Sequence, residues 1–308
     1  MEAPPIVHPD LSLSVAGLLV GFLVGLTGMG GGALLTPLLV LFFRVAPLAA
    51  ISSDLLTSLV MKPVGGAVHL RRGTVNWRLV GLLSAGSVPS AFAGAVVIGA
   101  IGHRSGVQSD LKLVIGVALC ASVAMMIVRQ LLDRRNRRRD ARGGPPAAEP
   151  RVRPLRTLAI GVIGGFAVGL TSVGAGSVII ALLLLAYPAL RPSQLVGTDI
   201  VQAIPLVAAA TLGHLIFGDV HFALTAFLLL GALPGVYLGA RLSAQGPAAV
   251  IRPVITGVLL ASALALLKVS TPVLLVAAAA GALAMALVGR PRRPQPTTPA
   301  ERELDPVH

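Results

Sequence analysis

The stretch GLLVGFLVGLTGMGGG at residues 17–32 returns later in the chain as GVIGGFAVGLTSVGAG at residues 161–176. At an offset of 144, nine of these 16 positions are identical. The matches keep their order along the chain, and a single inserted residue changes the offset from 144 to 145, which indicates an internal duplication. At an offset of 145 the match continues through the pairs Asp54/Asp199, His69/His214, Leu70/Leu215, Gly73/Gly218, Gly86/Gly231, Pro89/Pro234 and Gly94/Gly239.

The composition indicates that lipid surrounds this chain. Its mean hydropathy is +0.87, 55% of its residues are apolar and only 12% are charged. Soluble domains carry about 25% charged residues, so too little polar surface is available here to cover the protein in water. A duplicated, strongly apolar chain is typical of a membrane transporter with two repeats, whose site lies where the repeats meet.

The net charge of +13 is concentrated between the apolar stretches, which favours a topology signal over nucleic-acid binding. With the basic segment 133–156 placed in the cytoplasm, 20 of the 25 Lys and Arg residues fall inside. We therefore expect a multi-pass protein of the cell (cytoplasmic) membrane, with its N-terminus outside and its C-terminus inside. The basic residues outside would be Arg44, Arg104, Lys112 and Lys268, with Lys62 within the membrane.

Nine apolar stretches predict the membrane segments, and seven of them are about 18–25 residues long, enough for one crossing each. The other two, 11–43 and 157–187, are longer and are interrupted by glycines. We interpret both as hairpins, because the alternative, one long tilted helix each, breaks the charge bias in the second half. The remaining stretches are 48–70, 75–99, 111–131, 193–217, 221–241, 250–268 and 270–289.

The predicted fold class is therefore an all-α polytopic membrane protein with two inverted-topology repeats. Each repeat is a glycine-broken hairpin plus three transmembrane helices, and the odd number of crossings inverts the second repeat. The predicted domains are a first repeat at 1–132, a flexible basic cytoplasmic linker at 133–156, a second repeat at 157–268, an extra transmembrane helix at 269–290 and a disordered tail at 291–308.

Small residues recur every fourth position in four segments, which predicts close approach of helix backbones in lipid. The four sets are Gly17/Gly21/Gly25, Gly86/Ser90/Gly94, Gly161/Gly165/Gly169 and Gly231/Gly235/Gly239.

The runs TGMGGG (27–32) and TSVGAG (171–176) predict breaks inside the membrane, each followed by a new half-helix. The N-terminus of such a half-helix has free N–H groups and partial positive charge, which suit an anion. Inverted symmetry would bring both ends into one site near the midplane, and a tight helix contact that requires glycine is the alternative. The predicted substrate-binding residues here are Thr27, Gly28, Gly30, Gly31, Gly32, Thr171, Ser172, Gly174 and Gly176.

The first of these runs, with its flanking residues, resembles the opening of the TauE/SafE sulfite-exporter family of membrane permeases. The matching residues are Gly21, Gly25, Thr27, Gly28, Gly30, Gly31, Gly32 and Pro37. The resemblance extends through AISSDL at 50–55 and VGTD at 196–199, and covers about 12–268 without the linker. It implies export of a small sulfur-containing anion such as sulfite or an organosulfonate. The second run departs from the pattern at Ala175, Ser177 and Ala181.

Asp54 and Asp199 are repeat partners that lie deep in apolar stretches, where ionisable groups are costly and mark function. We predict that this pair couples transport to protons. The alternative is that the two aspartates hold neighbouring helices together through buried hydrogen bonds. Lys62 would be a counter-charge for the anion, a salt-bridge partner of Asp54 or a side chain that snorkels to the interface. The polar residues predicted to join it in binding substrate are Ser52, Ser53, Thr198 and Gln202.

His69 and His214 end their apolar stretches, so we expect both at the membrane interface. The sequence has no metal-ligand pattern, no catalytic constellation and no cofactor motif, so we expect no cofactor and no enzyme. The expected partners are a small anion and the bilayer, with a homo-oligomer left open. The alternatives are a permease for a carboxylate or another oxyanion, a non-transporting membrane scaffold and an intramembrane enzyme.

Overall fold

The computed structural model describes residues 11–27, 31–71, 73–102, 107–140, 152–174, 177–188, 190, 192–243 and 248–289. Within these residues the regular structure is entirely helical, as predicted. The helices are α1 (Leu11–Thr27), α2 (Gly32–Leu41), α3 (Pro47–Arg71), α4 (Trp77–Gly102), α5 (Val107–Asp140), α6 (Pro154–Thr171), α7 (Val178–Ala186), α8 (Pro192–Phe217), α9 (Phe222–Ser243), α10 (Ala248–Leu266) and α11 (Thr271–Gly289).

Several helices are suited to a bilayer by length and composition. Among the described residues, five segments are long and apolar enough to cross a membrane, on α4, α5, α6, α8 and α9. Large apolar side chains also cover the outside of the protein: Leu11 is 80% exposed, Leu155 82% and Val276 70%. Lipid is the solvent that accepts such a surface.

The basic segment that follows the first repeat is partly helical. The α5 helix is 34 residues long and continues to Asp140, so residues 133–140 extend the membrane helix instead of starting a linker. Arginine is a good helix former, and this run contains neither proline nor glycine. Pro154 begins α6, where a proline is well tolerated because the first N–H of a helix has no partner. The part of the predicted linker at 141–153 lies mostly outside the described residues.

Helix breaks occur at both glycine runs, as predicted. The first separates α1, which ends at Thr27, from α2, which begins at Gly32. The second separates α6 from α7. Here Ser172 has φ 58° and Gly174 has φ 116°, so the backbone leaves the helix through left-handed conformations.

The second broken stretch turns back on itself. Tyr187 directly follows α7, and its hydroxyl lies 2.6 Å from the Thr157 Oγ1 and accepts a hydrogen bond from the Arg153 N–H at 2.9 Å. Both partners stand at the beginning of α6. The end of α7 therefore returns to the level at which α6 starts, which is the geometry of a hairpin.

The four sets of small residues at every fourth position, called the glycine stripes below, hold two pairs of helices together. This confirms the prediction of close backbone contacts. Along α6, Gly161, Gly165 and Gly169 face the backbone of Leu83, Ser87 and Ala91 on α4, in the same order. The pair is therefore parallel. The same relation joins α1 to α9, through Gly17, Gly21 and Gly25 against Leu228, Ala232 and Val236. Each pair takes one helix from each half of the chain.

We expect Gly165→Ala to destabilise the protein. A Cβ on Gly165 would lie 2.6 Å from the Ser87 Cα, so α4 and α6 would have to separate. Overpacking of this kind costs about 1–3 kcal/mol. A lower midpoint of thermal unfolding in detergent would show it. Gly81→Ala on α4 is the control, because nothing lies within 4 Å of its Cβ position; equal midpoints for the two variants would contradict this account of the stripes.

The α3 and α8 helices cross in opposite directions. At one end of the crossing, the Ser52 hydroxyl lies 2.8 Å from the His214 Nδ1. Further along α3, a Cβ on Gly66 would lie 3.0 Å from the Ile204 side chain. Residue numbers rise on α3 as they fall on α8, so these two repeat-related helices are antiparallel.

Candidate functional site

The two helix breaks meet in the interior of the protein. Gly32, the first residue of α2, lies against the backbone of Ser172, the residue that ends α6. A Cβ on Gly32 would fall on the Ser172 carbonyl oxygen and within 2.8 Å of its hydroxyl oxygen. The contact therefore requires glycine at position 32. It joins the α1–α2 break of the first half to the α6–α7 break of the second.

Asp54 of α3 lies beside this contact and is fully buried. Its Oδ2 accepts a hydrogen bond of 2.6 Å from the Thr36 hydroxyl of α2, and its Oδ1 accepts one of 3.4 Å from the Ser58 hydroxyl. The same Oδ1 is 3.9 Å from the position of a Cβ on Gly31. The carboxyl group thus stands at the N-terminal end of α2, where the helix dipole favours negative charge.

Ser172 contributes a hydroxyl with unused hydrogen-bonding capacity. The residue is 5% exposed, and its Oγ has no hydrogen-bond partner of good geometry among the described residues. It lies close to the Asp54 carboxyl group and to the start of α2. Buried hydroxyls are normally paired, so an unpaired one is an exception that needs an explanation.

The second aspartate is held by a different set of side chains. Asp199 of α8 is 2% exposed, and its Oδ1 accepts a hydrogen bond of 3.4 Å from the Gln202 amide. The Gln202 Oε1 in turn accepts one of 3.2 Å from the Ser87 hydroxyl of α4. This chain of three side chains links α8 to α4.

Lys62 lies on α3 and interacts electrostatically with both carboxyl groups. It is eight residues beyond Asp54, about 12 Å along the helix axis at 1.5 Å per residue. Lys62 thus interacts with Asp54 over a longer range, and Asp199 shares this interaction. The role of Lys62 as a counter-charge for the anion stays a prediction. Arg129 of α5 also interacts electrostatically with Asp199, and the sequence analysis did not single it out.

Three predicted site hydroxyls accept hydrogen bonds across helices, and their part in substrate binding stays a prediction. Ser52 accepts a hydrogen bond of 3.2 Å from the Asp219 N–H, and Ser53 accepts one of 3.4 Å from the His221 N–H. Thr198 accepts one of 3.0 Å from the Asn76 N–H. These bonds hold the α8–α9 turn to α3 and the α3–α4 turn to α8.

The remaining predicted residues at the breaks are described only in part. Thr171 caps its own break, since its Oγ1 donates to the Ala167 carbonyl at 2.7 Å and accepts from the Val173 N–H at 3.2 Å. Gly174 supplies the left-handed turn. Thr27 ends α1, and its side chain is not described. Gly28, Gly30 and Gly176 lie outside the described residues.

The His214 side chain is buried between helices, a placement that the sequence did not indicate. It lies in the last turn of α8 but is 0% exposed, and both ring nitrogens have partners on other helices. The repeat match placed it at the end of an apolar stretch, yet gave no information on which way the ring points. The side chain of His69, its repeat partner, is not described.

Sequence reasoning missed Thr36 and Ser87, which contact the polar groups directly. The signal available in the sequence was a hydroxyl within an apolar half-helix for Thr36, and a small polar residue directly after Gly86 for Ser87. Within the described part of the chain, no cluster of three or more His, Cys, Asp or Glu side chains could hold a metal ion.

An all-helical, polytopic membrane protein with charged side chains buried beside paired helix breaks has the architecture of a membrane transporter. The family profile named sulfite exporter TauE/SafE matches residues 13–266. The chain belongs to this family, and it is a membrane transporter protein, not an enzyme. No solved structure matches it.

Three similar proteins carry names of the same kind. It is 38% identical to the probable membrane transporter protein YjnA of Bacillus subtilis strain 168, over 84% of this chain and 100% of that protein. It is 26% identical to the probable membrane transporter protein YdhB of the same organism, over 79% and 96%. It is 28% identical to the probable membrane transporter protein MJ0441 of Methanocaldococcus jannaschii, over 73% and 82%.

Proposed function

We propose that this protein carries a small sulfur-containing anion, such as sulfite or an organosulfonate, out of the cell. The observation that carries the proposal is the contact of Gly32 with Ser172, which joins the two breaks beside Asp54. The family profile supports the choice of sulfur oxyanion. The α2 N-terminus and the unpaired Ser172 hydroxyl offer donors for oxygen atoms of such an anion.

We propose further that the two halves are inverted repeats. The antiparallel crossing of α3 and α8 supports this, because repeat-related helices at a shared interface run in opposite directions only if the repeats are inverted. Two equivalent hydrogen bonds support it as well: Asn76 N–H to Thr198, and His221 N–H to Ser53. The offset of 145 exchanges them, since it pairs Asn76 with His221 and Ser53 with Thr198.

Alternating access between the inverted repeats would then come from a rocking motion about the paired breaks. The tight pairs α1–α9 and α4–α6 each join both repeats. If these pairs stay together, each of the bodies that move against one another contains helices of both repeats.

The two aspartates suit proton coupling in this scheme. An ionised carboxylate 4 Å from a bound anion is unfavourable by about 4 kcal/mol at an effective dielectric of 20. A proton on Asp54 removes that repulsion, so proton and anion would move in the same direction. Lys62 would supply a positive charge that interacts with both Asp54 and Asp199.

The orientation follows from the distribution of basic residues and is tested by labelling. We expect the N-terminus outside and the segment after α5 inside. In a Cys120→Ala background, single cysteines at Pro5, Gly144 and Gly246 should differ in reaction with an impermeant thiol reagent added to intact cells. Only the cysteine at Pro5 should react from outside, and labelling at Gly144 would contradict the topology.

A flux screen in proteoliposomes tests the substrate. Sulfite, thiosulfate, sulfate, sulfoacetate and acetate are each supplied as a gradient, with protein-free liposomes as the control. We expect saturable flux of sulfite or sulfoacetate and none of acetate. Flux of acetate alone would favour a carboxylate permease, and no flux of any anion would favour a non-transporting scaffold.

A further inference from the structure

We propose that His214 is a positioning residue that holds the α6–α7 break in place against the Asp54 segment of α3. The His214 ring lies between the two elements that carry the site. Its Nε2 is 2.8 Å from the Gly169 carbonyl oxygen, three residues before Ser172. Its Nδ1 is 2.8 Å from the hydroxyl of Ser52, two residues before Asp54.

The hydrogen positions follow from the partners. A carbonyl oxygen only accepts, so the Nε2 of His214 carries the hydrogen and donates it to Gly169. In the neutral ring the Nδ1 is then an acceptor for the Ser52 hydroxyl. The Leu48 carbonyl, 2.8 Å away, competes for the same hydroxyl hydrogen.

The absence of a side chain at Gly218 leaves room for the contact between His214 and Ser52. Gly218 lies directly over the pair: a Cβ there would be 2.7 Å from the Ser52 Oγ and 2.9 Å from the His214 Nδ1. The Asp219 N–H donates to the same Ser52 oxygen at 3.2 Å. One imidazole thereby fixes α6, α3 and the α8–α9 turn relative to one another.

This role differs from that of a general stabilising contact. The Gly169 carbonyl lies in the last turn of α6, where backbone carbonyls lack partners within the helix. Holding that turn sets the direction in which the chain leaves the helix at Ser172. Loss of the ring should therefore loosen the break first, while the distant core of α5 stays closed.

The test follows the accessibility of two buried positions with a thiol reagent and uses no substrate. In the Cys120→Ala background, Ser172→Cys reports on the break and Ser122→Cys reports on the buried face of α5. Both serines are buried. The Ser122 hydroxyl has no hydrogen-bond partner among the described residues. The Ser172 hydroxyl interacts with the Asp54 carboxyl group, so the Ser172→Cys protein without a further change is the baseline for every comparison at the break. Each reporter is combined with His214→Ala, His214→Gln or Gly218→Ala. The matched control is His221→Gln, an exposed histidine on the α8–α9 turn.

We expect His214→Ala to raise the rate of N-ethylmaleimide alkylation of Ser172→Cys in detergent at least about tenfold, because a buried carbonyl loses its donor. Alkylation of Ser122→Cys should change less than about twofold, since local opening leaves the rest of the fold intact. Gly218→Ala should act like His214→Ala. His214→Gln should largely restore protection because its amide still donates, and His221→Gln should change neither reporter.

An equal rise at both reporters would show that His214 only stabilises the fold, and no rise at Ser172→Cys would show that it does not hold the break. Either result overturns the proposal. The role matters for transport only if the break is the substrate site, as proposed above. Because the readout needs no anion, failure of the flux screen and failure of this proposal are separate results.

Discussion

Gly32→Ala is expected to abolish transport. The added Cβ would fall on the carbonyl oxygen of Ser172, so the first turn of α2 would have to move away from the α6–α7 break. Such a shift separates the α2 N-terminus from Ser172 and disturbs the hydrogen bond from Thr36 to Asp54. Misplacement of a binding group by about 1 Å can cost on the order of 100-fold in rate. The measurement is anion flux in proteoliposomes, normalised to folded protein.

Gly81→Ala is the matched control for this substitution. It makes the same chemical change at a helical glycine with open space around it, so flux should stay at the level of the unmodified protein. Gly31→Ala is a second control, at the glycine next to Gly32, because its Cβ would come no closer than 3.4 Å to its nearest neighbour, the Ser58 hydroxyl oxygen. It should fold normally. A Gly32→Ala protein that folds and transports at the control rate would show that the contact between the breaks is not the site.

The second large effect concerns the charged residues. Asp54→Asn and Asp199→Asn mimic the protonated carboxyl groups, so both variants should keep substrate binding but lose its pH dependence. Lys62→Met should weaken binding, because it removes the positive charge that interacts with both carboxyl groups. Methanesulfonate is a suitable probe, since its charge is constant over roughly pH 5 to 8. A change in its binding over this range therefore reports on the protein.

Binding of methanesulfonate is measured across that pH range on the three variants and on the unmodified protein. Arg78→Met, an exposed basic residue at the start of α4, is the control for loss of one positive charge. Unchanged pH dependence in both asparagine variants would identify the aspartates as structural ties. Equal affinity of Lys62→Met and Arg78→Met would exclude Lys62 from the site.

Much of the fold was predictable because lipid imposes simple rules. Stretches of apolar residues predict the membrane helices, and glycines every fourth position predict which helix faces touch. The breaks after Thr27 and Thr171 were predictable as well, because a run of glycines has little helix propensity. The extension of α5 to Asp140 was not predicted, because a run of charged residues indicates exposure to water but does not show whether the segment is helical.

The candidate site was predictable only as a set of residue types. Sequence periodicity places a residue on a helix, but it does not give the rotation of that helix or its partners. His214 therefore looked interfacial although its ring is buried between α3 and α6. The sequence also could not show that Ser52 and Ser53 accept hydrogen bonds from the α8–α9 turn, because those partners are far away in the chain.

The sequence also could not predict which helix of one half packs against which helix of the other half. The glycine stripes on α1, α4, α6 and α9 show equivalent patterns, so several pairings fit them equally well. Only the three-dimensional contacts reveal that α1 packs on α9 and α6 on α4. This arrangement constrains how the repeats can move.

The most direct test of the central claim is exchange of [35S]sulfite across proteoliposomes that hold equal sulfite concentrations on both sides. Exchange needs neither a gradient nor knowledge of the coupling ion, so it reports only whether the protein carries the anion through an alternating site. We predict saturable exchange by the unmodified protein and by Gly81→Ala, and none above protein-free liposomes by Gly32→Ala. Absence of exchange by the unmodified protein, or equal exchange by Gly32→Ala, would contradict the account.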